Sequence, residues 1–410
     1  MKSLNIAIIG LGCVGQGTLQ ILSQQLNGNA INIKHLVAKS PNKKRNIAHP
    51  IGYNWQTAVY DPEVDVIVEL IDDYREAYRI VKAALREAKH VVSANKRMLA
   101  EHLGELSEMA QAHGVKLRYD AAVAGSIPVI RNLESSFLLD QVHQIKGILN
   151  GSSNYILTLI AEGVSPQDAI DEARQKGFLE TEEWLDLNGW DASYKLALTW
   201  YHATGELISP SQIVKQGITS IAATDVDWVK SLHGKLKLIA SISKHNGKLI
   251  AKVLPTVVES GDFSFYVDNE YNAVQVSLVN AGEQTLTGKG AGALPTGSAV
   301  VADLFSLQDI DKKINKPKLE TIDRVFQEEK EWYYIRLPYT HFSTLLDEYD
   351  DISLIRSGRQ ECVVLANLTI EQLREITERL ADNSTGIIIQ VPDSCAEKIQ
   401  TRKITVWETA

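Results

Sequence analysis

Leu4-Asn5-Ile6-Ala7-Ile8-Ile9-Gly10-Leu11-Gly12-Cys13-Val14-Gly15 is the stretch that decides how the chain folds. A short β-prone run enters a G-x-G-x-x-G pattern at once. Residues 14–26 then carry Leu19, Ile21, Leu22 and Leu26 at helical spacing. Alone, the glycine pattern is weak. Between a strand and a helix it marks a dinucleotide turn. Gly10 permits the tight turn, Gly12 lets backbone approach a pyrophosphate, and Gly15 allows close helix–strand packing. Cys13 and Val14 complete the turn, and the helix N-terminus favours an anion.

Moving outward, residues 31–37, 64–70, 90–93 and 115–119 read as further strands, with helices over 76–88 and 97–111. Residues 64–70 are almost continuously apolar, as a parallel strand buried on both faces should be. The alternation predicts an α/β fold with a Rossmann-type doubly wound parallel sheet. After the second strand come Lys39, Lys43, Lys44 and Arg45 with no acid for a ribose hydroxyl. These cations either meet a 2′-phosphate, which tilts the cofactor toward NADPH over NADH, or form a solvated loop. Ser93-Ala94-Asn95-Lys96 ends a strand, placing Ser93 and Lys96 at the sheet edge where ligands bind in such folds. Residues 120–128 then leave the sheet through small residues, and such a loop exposes backbone carbonyls, which are hard oxygen ligands.

With 410 residues the chain can hold two or three domains. A net charge of -9 gives no footprint for nucleic acid or acidic membranes. Three dispersed cysteines form no ligand or redox motif, and no apolar run is long enough to span a bilayer. The expectation is a soluble, cytoplasmic protein.

The middle of the chain concentrates charge. Glu180, Glu182, Glu183, Asp186 and Asp191 precede Lys195. Asn188-Gly189 is a turn signal, and a helix from Trp190 puts Asp191 and Lys195 four apart on one face. That helix is apolar on most sides, so the charged pair should be at least partly enclosed, and enclosed charges are paired or functional. Gly151-Ser152-Ser153-Asn154 precedes a helix over 155–162, either as caps or as donors for a carboxylate. Residues 143–150, 248–258 and 271–278 suggest an α+β domain with a mixed or antiparallel sheet, whose open face would need a partner subunit. A second glycine-rich turn, 288–298, opens a helix over 299–307 and could close over a cofactor, with Gly292 at its centre. The terminal strands and helix over 331–391 form a small α+β module.

Together these segments resemble homoserine dehydrogenase. The matching pieces are the first glycine turn, Ser93-Ala94-Asn95-Lys96, Ala121 to Pro128, Ile148 to Ile156, Leu185 to Lys195 and Gly290 to Thr296, in the family's order. The resemblance implies reversible reduction of L-aspartate 4-semialdehyde to L-homoserine with NADPH or NADH. It implies a catalytic Lys195, Lys96 near nicotinamide and substrate, Glu180 on the substrate amino group, and Asp186 and Asp191 in the substrate site. Ser152 is a further substrate-binding candidate. A structural monovalent cation, usually sodium, is implied at Asp120, Val123, Gly125 and Ile127. A homodimer or dimer of dimers is expected. The domains implied are 1–128 for the dinucleotide, 129–295 for catalysis and dimerisation, 296–322 returning to the nucleotide domain, and 323–410 as an ACT-like or degenerate regulatory module.

Two departures stand out. Asp72-Asp73 replaces the family's glycine pair near the cofactor, where acids would repel pyrophosphate or move the loop. Residues 338–343 lack the acid-x-x-glycine turn usual for amino-acid binding in an ACT domain. The competing readings are a cofactor-binding regulatory homologue with reduced catalysis, and another semialdehyde oxidoreductase of the same build. A phosphorylating oxidoreductase would need an activated cysteine.

Overall fold

The computed structural model describes residues 3–25, 31–41, 47, 49–179, 182–245, 247–308, 330–339, 348–349, 351–357, 360–381 and 386–401. Chain contacts divide them between two units. The first takes Met1–Gln141, Tyr194–Pro210 and Gly288–Lys318; the second takes the rest.

In the first unit the order is β1 (Leu4–Ile9), α1 (Cys13–Gln25), β2 (Ile31–Val37), β3 (Ile51–Gly52), α2 (Trp55–Val59), β4 (Val66–Glu69), α3 (Tyr74–Arg86), β5 (His90–Ser93), α4 (Lys96–Ala112), β6 (Leu117–Arg118), α5 (Ala121–Ala124) and α6 (Val129–Glu134). All strand pairs are parallel, in the order β3-β2-β1-β4-β5-β6. This is the expected doubly wound sheet. Ile6, Ile8, Val66, Val68 and Val92 supply its core.

In the second unit come β7 (Val142–Ile148), α7 (Gly151–Ala161), α8 (Pro166–Gln175), α9 (Glu183–Leu187), and α10 (Trp190–Thr204), whose last two-thirds belongs to the first unit. Then follow β8 (Val214–Lys215), α11 (Ala223–Ser231), β9 (Lys235–His245), β10 (Lys248–Val258), β11 (Tyr271–Leu278) and β12 (Gly282–Lys289). After β12 the chain re-enters the first unit as α12 (Ala293–Ser306), whose Val300 and Leu304 join the core there. Two glycines let α12 lie directly on α1. A Cβ on Gly17 would stand 2.0 Å from the Ala293 carbonyl oxygen, and one on Gly297 2.8 Å from the Thr18 nitrogen.

The terminal segment adds β13 (Glu331–Pro338), β14 (Ile352–Ser357), β15 (Glu361–Leu368), α13 (Ile370–Ala381), β16 (Ile387–Val391) and α14 (Asp393–Thr401). Its strands extend the second unit's sheet, in the order β12-β11-β7-β9-β10-β16-β13-β15-β14, with β8 also on β10. The joint is a parallel step at Thr256 and Gln390. Leu254 of β10 shares one core with Tyr333, Ile335, Val364, Leu373 and Ile388. Among the described residues no helix is long and apolar enough to cross a membrane.

Two helix starts differ from the sequence reading by more than two residues. α7 starts at Gly151 and not at 155, because Asn150 is its N-cap and accepts from the Ser153 amide. α12 starts at Ala293 and not at 299, because Pro295 sits in its first turn, where no amide hydrogen bond is lost. Asp186 lies within the short helix α9.

Candidate active site

The first glycine turn hangs between β1 and α1. Gly10 has φ +109°, and a Cβ there would lie 2.4 Å from the Leu70 carbonyl oxygen. A Cβ on Gly15 would lie 2.1 Å from the Gly10 carbonyl oxygen. Both glycines are thus required by the fold itself. Gly12 is different: among the described residues a Cβ there meets nothing within 4 Å beyond its chain neighbours. The space the protein leaves clear is the space a pyrophosphate needs for close backbone approach. Cys13 is exposed at the start of α1, and Val14 is partly buried behind it. At the end of β2, Lys39 and Ser40 are exposed; Lys43, Lys44 and Arg45 lie outside the described residues. Gly292 is the N-cap of α12, with φ +120°. Asp73 is engaged locally: its carboxylate caps α3 by accepting from the Arg75 and Glu76 amides.

Lys96 is the first residue of α4 and is half-buried. Asn95 delivers it, capping the helix by accepting from the Met98 amide at 3.0 Å. Ser93 is buried beneath, and its hydroxyl donates to Glu69 Oε2 at 2.6 Å. Burial pushes the Glu69 carboxyl up to about 7, against two hydrogen bonds that favour its charged form.

The loop after β6 contains α5, a single helical turn whose packing occupies carbonyls. Those of Tyr119, Asp120 and Ala124 accept from Ala122, Val123 and Ile127, and that of Ile127 accepts from Val129. Gly125, with φ +57°, is pressed against the Gly290 backbone. The Asp120 carboxylate accepts from the Ile130 amide at 3.0 Å and stands 3.7 Å from the Arg131 guanidinium. Desolvation pushes Asp120 up to about 6 and the neighbouring Asp303 up to about 7. The oxygen donors suit a hard cation, but Asp120 already has a cation beside it. Among the described residues no group of three or more His, Cys, Asp or Glu is arranged to hold a metal ion.

In the second unit a carboxylate pair is built around an amide. Asn150 Nδ2 donates to Asp186 Oδ1 at 2.7 Å and to Asp191 Oδ2 at 2.9 Å. Its Oδ1 accepts from the Ser153 amide at 2.7 Å. Those three bonds fix which way the amide points. Asp186 and Asp191 are 2% and 1% exposed, and the two buried acids share one amide donor. The sequence reading missed Asn150 as a functional residue. The available signal was an Asn two residues before Ser152, at a cap position; its partners lie 36 and 41 residues on.

Asp191 and Lys195 stand one turn apart on α10, and Lys195 is 7% exposed. The Thr199 hydroxyl donates to the Lys195 carbonyl one turn back. The Ser152 hydroxyl donates to the Phe178 carbonyl at 2.6 Å, which leaves it lone pairs but no free hydrogen. Glu180 lies outside the described residues. Cys362 and Cys395 are buried, and burial pushes the Cys395 thiol up to about 11, so neither suits an activated nucleophile.

Comparison with known proteins gives one answer throughout. Residues 128–305 match the family model described as homoserine dehydrogenase, and residues 10–120 match that of its NAD binding domain. A homoserine dehydrogenase of Bacillus subtilis is 33% identical over 318 residues, covering 75% of this chain and 73% of its own. The crystal structure of a homoserine dehydrogenase from Thiobacillus denitrificans superposes with a TM-score of 0.82 at 27% identity, covering 96% of this chain and 99% of its own. A hyperthermophilic archaeal homoserine dehydrogenase mutant in complex with NADPH superposes with a TM-score of 0.64 at 26% identity, covering 75% of this chain and 98% of its own.

Proposed function

The chain belongs to the homoserine dehydrogenase family, and we propose that Lys195 is the proton donor and acceptor of its reaction. The family's activity is NAD(P)-dependent oxidoreduction at a CH–OH group, here L-homoserine and L-aspartate 4-semialdehyde. The nicotinamide, when bound, supplies or takes the hydride; the protein's part is position and the proton. In the reducing direction Lys195 gives its proton to the alkoxide oxygen as the carbon takes hydride. In the oxidising direction the neutral amine takes the hydroxyl proton.

The observation that carries this reading is Lys195 buried one turn from Asp191 on α10, with Asn150 tying Asp191 to Asp186. An amino-acid substrate brings an ammonium group, which Asp186 and Asp191 suit; Glu180 is proposed as a further partner for it, and Lys96 for its carboxylate or the carbonyl. Ser152 serves the site through Phe178 and as an acceptor. The cofactor is held at Gly10, Gly12, Cys13, Val14 and Gly15, with Ser93 and Gly292 contributing. Exposed Lys39, and the absence of an acid at the end of β2, support NADPH over NADH. The NADPH complex of the archaeal relative supports the same choice.

Further proposals follow from the family. A sodium ion would be held by the carbonyls of Val123, Gly125 and Ile127, with Asp120 adding negative charge. The assembly is a homodimer or dimer of dimers. The terminal segment is ACT-like, supported by the strand order β16-β13-β15-β14. Residues 340–343 of its expected effector turn lie outside the described residues, and unchanged turnover in excess threonine would remove threonine regulation. The deciding experiment follows nicotinamide absorbance with homoserine and each cofactor, using Lys195→Ala as control. Oxidation by the parent protein, near-absent in the variant, is the expected result. Equal rates in the two proteins sink the assignment of Lys195.

A further inference from the structure

Glu69 closes β4 at the carboxyl edge of the parallel sheet and is wholly buried. An acid there has no local necessity: a strand end in a dry core is ordinarily apolar, and burying a carboxyl is costly. Its two oxygens are engaged from two different loops. Ser93 Oγ donates to Oε2 at 2.6 Å, and the Ile71 amide donates to Oε1 at 2.7 Å. The network then continues. Ser93 Oγ accepts from the Asn95 amide at 3.1 Å, Asn95 Nδ2 donates to the Ile71 carbonyl at 3.0 Å, and Asn95 Oδ1 caps α4 through Met98.

The two loops thus joined are those that face the proposed cofactor. Loop 70–72 is the floor of the first glycine turn, since Gly10 rests against the Leu70 carbonyl too closely to admit a Cβ. Loop 93–95 ends in Lys96, the first residue of α4. Both donors point at Glu69, so the position needs two acceptors, and a carboxylate is the side chain that offers them with no hydrogen of its own. We infer that Glu69 is a positioning residue that locks the dinucleotide turn and Lys96 in register, through Ile71 on one side and Ser93 with Asn95 on the other. It touches neither cofactor nor substrate. The inference rests on the proposed role of the glycine turn and Lys96.

The two links come apart by substitution. Glu69→Gln keeps one acceptor. The Ile71 amide cannot turn away, so the Gln oxygen goes there and its NH2 faces Ser93, whose hydroxyl hydrogen loses its acceptor. The Lys96 side is weakened and the floor of the turn is kept. Glu69→Leu removes both acceptors.

The test has two readouts. In NADPH fluorescence titrations, Glu69→Gln should bind within about threefold of the parent and Glu69→Leu about tenfold more weakly, as loss of a buried hydrogen bond implies. In turnover with homoserine, Glu69→Gln should lower kcat about tenfold, with KM for homoserine within about twofold. That loss should vanish in a Lys96→Ala background, because residues acting through one another are not additive. Should Glu69→Gln fail to fold, Ser93→Ala cuts the same link without disturbing the acid. NADPH binding by Glu69→Leu as tight as in the parent overturns the inference. So does a tenfold loss that persists beside a slow Lys96→Ala. If Lys96→Ala itself turns over at the parent rate, the role of Lys96 falls, and the inference falls with it by a separately visible result.

Discussion

Three buried acids of the first unit are pushed up by desolvation; three buried cations of the second are locked to acids. Glu69, Asp120 and Asp303 are at most 3% exposed, and the only basic side chain within ion-pair reach of any of them among the described residues is Arg131, which both aspartates share. Desolvation holds all three near or above pH 6. In the second unit Lys237 donates to Asp268, Asn154 and the Val267 carbonyl. Lys252 pairs with Glu331, and Arg336 clamps Asp225 with help from Tyr334. Burial pushes Asp268 and Glu331 up, but their lysines more than offset it, leaving both carboxyls below their ordinary values. A unit that receives an anionic dinucleotide keeps acids close to neutrality. A unit that must hold a carboxylate pair still fastens itself with completed ion pairs.

Lys195 gives this contrast its hardest test, being a buried lysine assigned to chemistry and not to scaffolding. Lys195→Ala should lower kcat by about a hundredfold to ten-thousandfold while the melting temperature stays within a few degrees. Lys237→Met should do the reverse, losing about 2–4 kcal/mol of stability because Asn154 Oδ1 loses its donor and Asp268 one of its two ammonium partners, with kcat in the folded fraction largely kept. Equal losses of activity and stability in both variants would erase the distinction.

Arg336→Met probes the scaffolding alone. It leaves Asp225, fully buried, without the guanidinium that meets both its oxygens at 3.0 to 3.3 Å. Breaking a buried pair in this way costs about 3–5 kcal/mol. Chemical denaturation should show it as a lower midpoint, and a shift of under about 1 kcal/mol would mean that Tyr334 suffices to hold Asp225.

Acidity should divide the units at a smaller scale. A carboxyl whose folded pKa is raised stabilises the fold below its unfolded value and loses that contribution as pH rises through the folded one. Glu69, Asp120 and Asp303 therefore make the first unit less stable as pH climbs from about 4 through about 7. The lowered acids of the second unit behave oppositely, losing stability only as pH falls below the ordinary carboxylate range. Hydrogen exchange at pH 5.5 and 7.5 should show protection in β1 and β4 falling with pH more than in β9 and β10. Asp303→Asn should flatten that slope.

What could be read from the chain follows the same divide between local and distant. The first glycine turn carries its own chemistry, so its strand, helix and parallel sheet were legible. β10 and β11 were legible at their observed limits because they are β-rich and bounded by turn signals. β9 was not, since Lys235, Lys237 and Lys244 read as a polar segment until the Lys237 partners, some 30 residues on or 83 back, are known. β12 is a polar edge strand whose side chains alternate mostly between exposed and half-buried. Gly151 and Gly297 read as breakers but stand inside helices, where other backbone comes too close for a side chain. The residues resembling the family's site were visible in sequence; Asn150, which joins two of them, acts at a distance that spacing does not encode.

Gly12→Ala carries the smallest expected change in stability and therefore isolates ligand from fold. Among the described residues none beyond its chain neighbours comes within 4 Å of the added methyl, and the backbone there needs no left-handed φ. Replacing glycine by alanine near the start of a helix should leave stability within about 1 kcal/mol, with the sign favouring alanine. Cofactor binding should weaken by about tenfold or more, because the methyl enters the space proposed for the pyrophosphate. Gly17→Ala is the counterpart, since its methyl would drive into the Ala293 backbone and should destabilise α1 against α12 whether or not cofactor is present. If Gly12→Ala binds NADPH as the parent does while Gly17→Ala melts early, the turn is a packing device only, and the acids buried beneath it would need another reason to be there.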